Sequence, residues 1–289
     1  MIGTISLRRL LSDRLGWWLL TPLLLLFAAL ISFYLAFPSR TLQARLELEL
    51  AQSYGLQAQL SPPKLLFPPG LACSQLDLTF PKPYDRSLPL RKVQISPLWL
   101  TLLGDAPGLR YRASLNGGTL TGTSRRNGQT TLLADQVTVQ ETLQINGGPV
   151  IQGVLEDSRF SGLLPLQLPG ERSLNLTLNR VRLSGLEAYG VAGGSIDLGR
   201  LVLQADGQGK TLRLKQLSLK GGALEGSGQG TILIGPSPAA TRLNLTLELR
   251  PGTGLDPTLR ELLSLVGSSA PNGSRRLSLS GSLQQPALR

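Results

Sequence analysis

The sequence predicts a mainly β protein, a long antiparallel meander behind a membrane-spanning segment, with one short helix near each end. Three observations predict it. An uncharged run of 21 residues lies close to the N-terminus, leucines recur with period two over much of the remainder, and Asn-Gly or Gly-Gly pairs separate the alternating stretches. The 289 residues include 33 glycines, and only 16% are charged against 41% hydrophobic. With aromatics at 5%, leucine supplies most of the apolar surface.

The uncharged run is Trp17 to Phe37. At about 1.5 Å per helical residue it spans a hydrocarbon core about 30 Å thick. Leu23, Leu26, Phe27 and Ile31 supply its apolar body, and Pro22 falls near its start, where a helix tolerates proline. Trp17, Trp18, Phe33 and Tyr34 stand towards the two ends, as interfacial aromatics do. Arg8, Arg9 and Arg14 precede the run, so the positive-inside rule places residues 1–16 in the cytoplasm and 38–289 outside. A cleaved signal peptide would carry an apolar region of about 7–15 residues and a small-x-small site. The run here is longer, and Tyr34 stands two residues before Ala36, the best cleavage residue. The expectation is an uncleaved signal anchor over 17–37.

Beyond the anchor, Ser39 to Tyr54 carries Leu42, Leu46 and Leu50 at fourfold spacing and is followed by Gly55, a helix with a stop signal. Period two then dominates. Leu174, Leu176 and Leu178 alternate with polar residues, and Val181 and Leu183 resume the pattern after Asn179-Arg180. Leu212, Leu214, Leu217 and Leu219 form a second series, and Leu243, Leu245, Leu247 and Leu249 a third. One apolar and one polar face is the mark of half-buried antiparallel strands. Asp256 to Val266 breaks the period. Asp256 can cap, Pro257 suits the first turn, and Leu259, Leu262, Leu263 and Val266 share a face ended by Gly267.

A pattern L-x-G-G-x-L-x-G occurs twice, at Leu115–Gly122 and Leu219–Gly226, with a looser copy at Ile145–Gly153. Gly117, Gly118 and Gly122, and likewise Gly221, Gly222 and Gly226, are read as turn glycines that supply positive φ to tight hairpins. A phosphate-binding loop would need a following helix and Gly-Lys-Ser/Thr, which these copies lack.

The composition also narrows the chemistry. Without histidine there is no Ser-His-Asp or Cys-His pair and no His-based metal site. Cys73 is the single cysteine, so thiolate clusters and internal disulfides are excluded, and its place between Leu71 and Leu76 reads as a small buried apolar residue. No nucleophile elbow occurs in a strand-to-helix context, and the adjacent acids Glu156 and Asp157 would point to opposite faces of a strand. The expectation is a non-catalytic protein without metal or cofactor. Setting aside Arg8, Arg9, Arg14 and Asp13 leaves 26 basic and 17 acidic residues outside, a net charge of +9. Such a charge beside a membrane suits anionic lipid headgroups or other phosphorylated envelope molecules, and equally a solvated basic surface with no specific partner. Nucleic acid is not expected, because the cations are spread singly and lack stacking aromatics.

Taken together, these features resemble a known family. The short basic N-terminus and anchor, Phe37-Pro38 with its leucine-spaced helix, Pro62-Pro63, Leu76–Phe80, the two L-x-G-G-x-L-x-G copies and the closing stretch Leu277–Pro286 carry the resemblance. Over nearly its whole length the chain is similar to the GspN family of the bacterial type II secretion system, in its longer form. That family is in turn similar to AsmA-like envelope proteins. The resemblance implies an elongated, curved, groove-forming sheet facing the periplasm and a single pass through the bacterial inner membrane. As partners it implies other type II secretion components. A leucine-lined face could also hold phospholipid or other acyl chains, and that lipid-binding or lipid-transfer reading stands as the alternative. No functional residue carries over.

Overall fold

The computed structural model describes residues 21, 22, 24, 25, 27–29, 32, 38–54, 57–66, 70–80, 86–101, 104–142, 148–164, 170–187, 190, 191, 193–235, 239–265, 267–269 and 273–288. Of the expected anchor, Trp17, Trp18, Leu23, Leu26, Ile31, Phe33 and Tyr34 lie outside these residues, as does Gly55. The described positions between 21 and 32 are helical, with Leu24, Leu25 and Phe27 exposed. Among the described residues no helix is long and apolar enough to cross a membrane, a statement that leaves strands aside.

The rest is mainly β: one large antiparallel sheet with few short helices. Helix α1 (Ser39–Tyr54) occupies the predicted segment, and its Glu47 Oε1 accepts a 2.9 Å bond from the Leu60 amide. That bond ties the helix to the edge strand β1 (Gln57–Leu60), which Pro62-Pro63 separates from β2 (Lys64–Leu66). Proline cannot donate to a ladder, so the edge is the place for such a break. Both pieces pair with β3 (Gly70–Phe80), followed by β4 (Arg86–Pro97), β5 (Gly108–Leu115), β6 (Gly118–Arg125), β7 (Gln129–Asp135), β8 (Val137–Thr142) and β9 (Val150–Leu163). The meander goes on through β10 (Glu171–Ser184), β11 (Ser195–Gln208), β12 (Thr211–Lys220), β13 (Leu224–Leu233) and β14 (Arg242–Pro251). Helix α2 (Pro257–Leu265) interrupts it before β15 (Ser268–Ser269), β16 (Arg275–Ser282) and β17 (Pro286–Leu288). The Thr258 amide donates to Asp256 Oδ1 at 2.8 Å, the expected cap, and Gly267 has φ 73°.

Each strand pairs with its successor, with three exceptions where two strands share one partner: β1 and β2 both lie along β3. β7 and β8 both lie along β9, and β14 pairs with β16 across the helix. Among the described residues no ladder joins the β1/β2 edge to the β15/β17 edge.

The strands are not evenly pleated. Lys92, Gln136, Asp157 and Arg180 take positive φ between 43° and 55°, and Gly199 takes 73°. Most of them sit inside an apolar-x-x-apolar step: Leu90–Val93, Ala134–Val137 and Leu178–Val181. The extra residue is a β-bulge, which bends the strand and brings the next apolar side chain back to the same face. The register slips there, as between Arg91 and Gln94 or between Leu178 and Val181. The residues flanking these bulges are among the most buried in the protein: Val181 is 0% and Val137 2% exposed.

Candidate functional site

Directly opposed residues in an antiparallel ladder share a face, so the register traces side chains across the sheet. One row starts at Leu65 and runs through Leu71, Ile95, Tyr111, Gly122, Leu132 and Phe160. It continues through Leu174, Ala205, Leu214, Gly230, Leu245 and Leu279. Every position is apolar or glycine. At about 4.8 Å per strand the row is roughly 55–60 Å long. A second row, Leu176, Leu203, Leu217, Gly228, Leu247 and Leu277, lies beside it. A third runs from Val137 through Leu155, Leu178, Leu201, Leu219 and Gly226 to Leu249, and ends opposite Arg275.

All eight leucines expected on the sheet face therefore lie on one face. Leu178, Leu214, Leu243 and Leu245 are buried there, while Leu174, Leu176, Leu212 and Leu247 are half-buried. Two clusters form the buried part. One joins Cys73, Leu90, Val93, Ala113, Leu115, Ala134 and Val137, and the other is Ala205, Leu214 and Leu245 with half-buried leucines around them. Burial raises the Cys73 thiol above its ordinary pKa, as for a small apolar residue without a charge partner.

The six repeat glycines divide into three roles. Gly117 (φ 85°, after Asn116 at 45°) and Gly221 (φ 79°) supply the left-handed turn conformation. Gly118 and Gly222 permit close backbone approach: a Cβ would stand 2.4 Å from the Gln136 carbonyl carbon in the first case and 2.3 Å from that of Leu198 in the second. Each hairpin tip thus abuts the backbone beside a bulge, at Gln136 or Gly199. Gly122 and Gly226 are inside strands rather than turns, which corrects the turn reading for both. Only glycine leaves room there for the Tyr111 ring over Gly122 and the Leu249 side chain over Gly226. Gly153 of the looser copy does the same beneath Leu178. Gly228 likewise lies in β13 beneath Leu247 and Leu217.

The opposite face is polar and differs along its length. Towards the C-terminus cations pair across strands: Arg250 with Glu225 at 2.5 Å, Arg276 with Glu248 at 2.6 Å, and Lys215 with Asp206. On β5 to β9, by contrast, Arg110, Arg112 and Arg159 border a cleft of about 510 Å³. Its lining also includes Gln94, Thr121, Thr123, Thr131 and Leu133 and contains no acid. Glu156, on a bulge with Asp157, accepts from Asn179 Nδ2. Among the described residues no group of His, Cys, Asp or Glu could hold a metal ion.

No family model, curated protein or solved structure matches the chain. The functional reading therefore rests on the two faces. Sequence reasoning found the leucine face and missed two things, the arginine cleft and the glycine lane of β13. Arg110 and Arg112 alternate on a strand that has no acid, and that was the available signal.

Proposed function

We propose that this protein is a non-catalytic component of the bacterial envelope, anchored in the inner membrane with its sheet in the periplasm, and that the apolar face binds acyl chains. The observation that carries this reading is the row from Leu65 to Leu279, in which the Tyr111 hydroxyl is the one polar side-chain group. A row roughly 55–60 Å long exceeds any one acyl chain, so it suits a chain moving along it. The bulges and the glycines of β13 support a curved sheet with that face inward, because bulges bend strands and the side chains of Leu217 and Leu247 close over Gly228. Arg275 ends one apolar row, where a phosphate headgroup would meet a cation.

Native mass spectrometry of gently extracted full-length protein tests this. Bound phospholipid is expected, and it is lost when Leu203→Asp and Leu247→Asp place two carboxylates in the second row. Protein free of lipid, or lipid retained by the double variant, overturns the reading. The resemblance to the GspN family supports a second role, as a part of the type II secretion apparatus. Co-purification with other inner-membrane parts of that machine and a secretion defect on deletion are its expected outcomes. A deletion strain that secretes normally removes it.

A further inference from the structure

We propose that the cleft on the polar face binds a bisphosphorylated polyol. The site lies on the side of the sheet away from the apolar rows and stands or falls independently of acyl binding. Its two walls are Arg110 and Arg112 on β5 and Arg159 on β9, and its floor is β6 and β7, with Thr121, Thr123 and Thr131. The register places Arg112 opposite Thr121, Thr121 opposite Leu133, and Leu133 opposite Arg159. The walls are therefore separated by three strand spacings, about 14 Å between backbones. Arginines of both walls border the same cleft, an arrangement that suits two anionic groups carried on one small ring.

Three features select this chemistry. The three arginines have no ion pair among the described residues, whereas three cations farther along the same face each have one. Like charges gathered around one concavity repel, and an anion relieves the repulsion. Guanidinium is the side chain best matched to phosphate, through paired N–H donors. The floor hydroxyls, with Gln94 at the wall, provide donors and acceptors for the hydroxyls of a polyol. The adjoining depression on this face, about 880 Å³, has Glu171 and Asp206 among its cations and is not expected to take an anion.

Full-length protein in detergent micelles, titrated calorimetrically at physiological salt, tests the site. Fructose 1,6-bisphosphate is expected to bind at least about tenfold more tightly than fructose 6-phosphate, and fructose not at all. Arg159→Gln and the pair Arg110→Gln/Arg112→Gln should each weaken the bisphosphate about tenfold or more. All three arginines are exposed, so these variants are expected to fold. Dibutanoyl phosphatidylinositol 4-phosphate distinguishes the source of the group. If it binds as well as the sugar and loses affinity in the same variants, the site takes the group on a lipid. If only the sugar responds, the site takes a soluble ligand. No binding by either probe, equal affinity for mono- and bisphosphate, or affinity unchanged in the variants overturns the proposal.

Discussion

The strands before and after β9 follow the same pleat and reach different ends. In the first half the apolar face closes into a core of Cys73, Leu90, Val93, Ala113, Leu115, Ala134 and Val137, while Arg110, Arg112 and Arg159 on the outer face make no ion pair among the described residues. In the second half the apolar face is built of leucines, many only half-buried, and the outer face is laced with cross-strand ion pairs. Small side chains let a bent sheet bury its own face. Leucines set beside the glycine lane Gly226, Gly228 and Gly230 leave apolar surface in contact with whatever lies against it. The first half gathers its buried apolar residues into one cluster, while the second sets a smaller cluster among half-buried leucines.

The largest expected effect is a charge placed at a bulge. Val137→Asp puts a carboxylate at a position only 2% exposed in the core of the first half, beside the bulge at Gln136, and should cost at least about 4 kcal/mol, enough to prevent folding in a domain of ordinary stability. Leu203→Asp, on the half-buried leucine rows, should cost only about 1–2 kcal/mol. Denaturant titration of both variants measures the difference. Equal losses would mean that the second half is as closed as the first.

Next come the two glycines of one turn. Gly222→Ala sets a methyl 2.3 Å from the Leu198 carbonyl carbon, against backbone that the bulge at Gly199 holds in place. A loss above about 2 kcal/mol is expected. At Gly221, with φ 79° and open space around it, alanine meets only the left-handed penalty of about 1 kcal/mol. Thermal unfolding ranks the two, and the reverse order would remove the close-approach role given to the second glycine.

These two positions also mark how far the sequence can be read. The helices at Ser39–Tyr54 and Pro257–Leu265, the period-two strands and the Asn-Gly and Gly-Gly turns were legible because each is a local signal. The leucine face was legible for the same reason. The interruption after Leu178 was visible as two polar residues between Leu178 and Val181, but its meaning required the partner strand. A bulge is a relation between two strands, and alternation within one carries no information about pairing. Gly122 and Gly226 were read as turns for a similar reason. A glycine that admits a neighbour's side chain looks, in sequence, like a glycine that bends the chain. The arginine cleft lies farther still from sequence, since Arg159 is about 50 residues from Arg110 and meets it only through the register of β5 to β9.

The outer faces give a smaller contrast. Glu248→Gln leaves Arg276 without its 2.6 Å partner on an exposed surface and should lower stability by about 0.5 kcal/mol, less at high salt. Arg112→Gln removes one of several like charges and should leave stability unchanged or slightly raised, within about 0.5 kcal/mol. If the arginine variant lost as much as the glutamate variant, Arg112 would be paired in solution and the asymmetry of the outer face would disappear.

The smallest effect concerns pH. Burial raises the Cys73 thiol pKa, so the folded chain holds that proton more tightly than the unfolded one. The stability linked to the neutral thiol is complete below the ordinary thiol value of about 8.5 and is lost as pH rises from there through the folded value. The unfolding free energy of the native chain, relative to Cys73→Ala, should therefore fall between pH 7 and pH 10. A cysteine in the second half provides the comparison. In the Cys73→Ala background, Leu203→Cys places a thiol on the half-buried rows, where solvent supports its thiolate. That thiol should react with iodoacetamide at pH 8.5 far faster than Cys73 does in the native chain. Equal protection at the two positions would show the leucine rows to be covered in solution, and the difference between the halves would then lie in their outer faces alone.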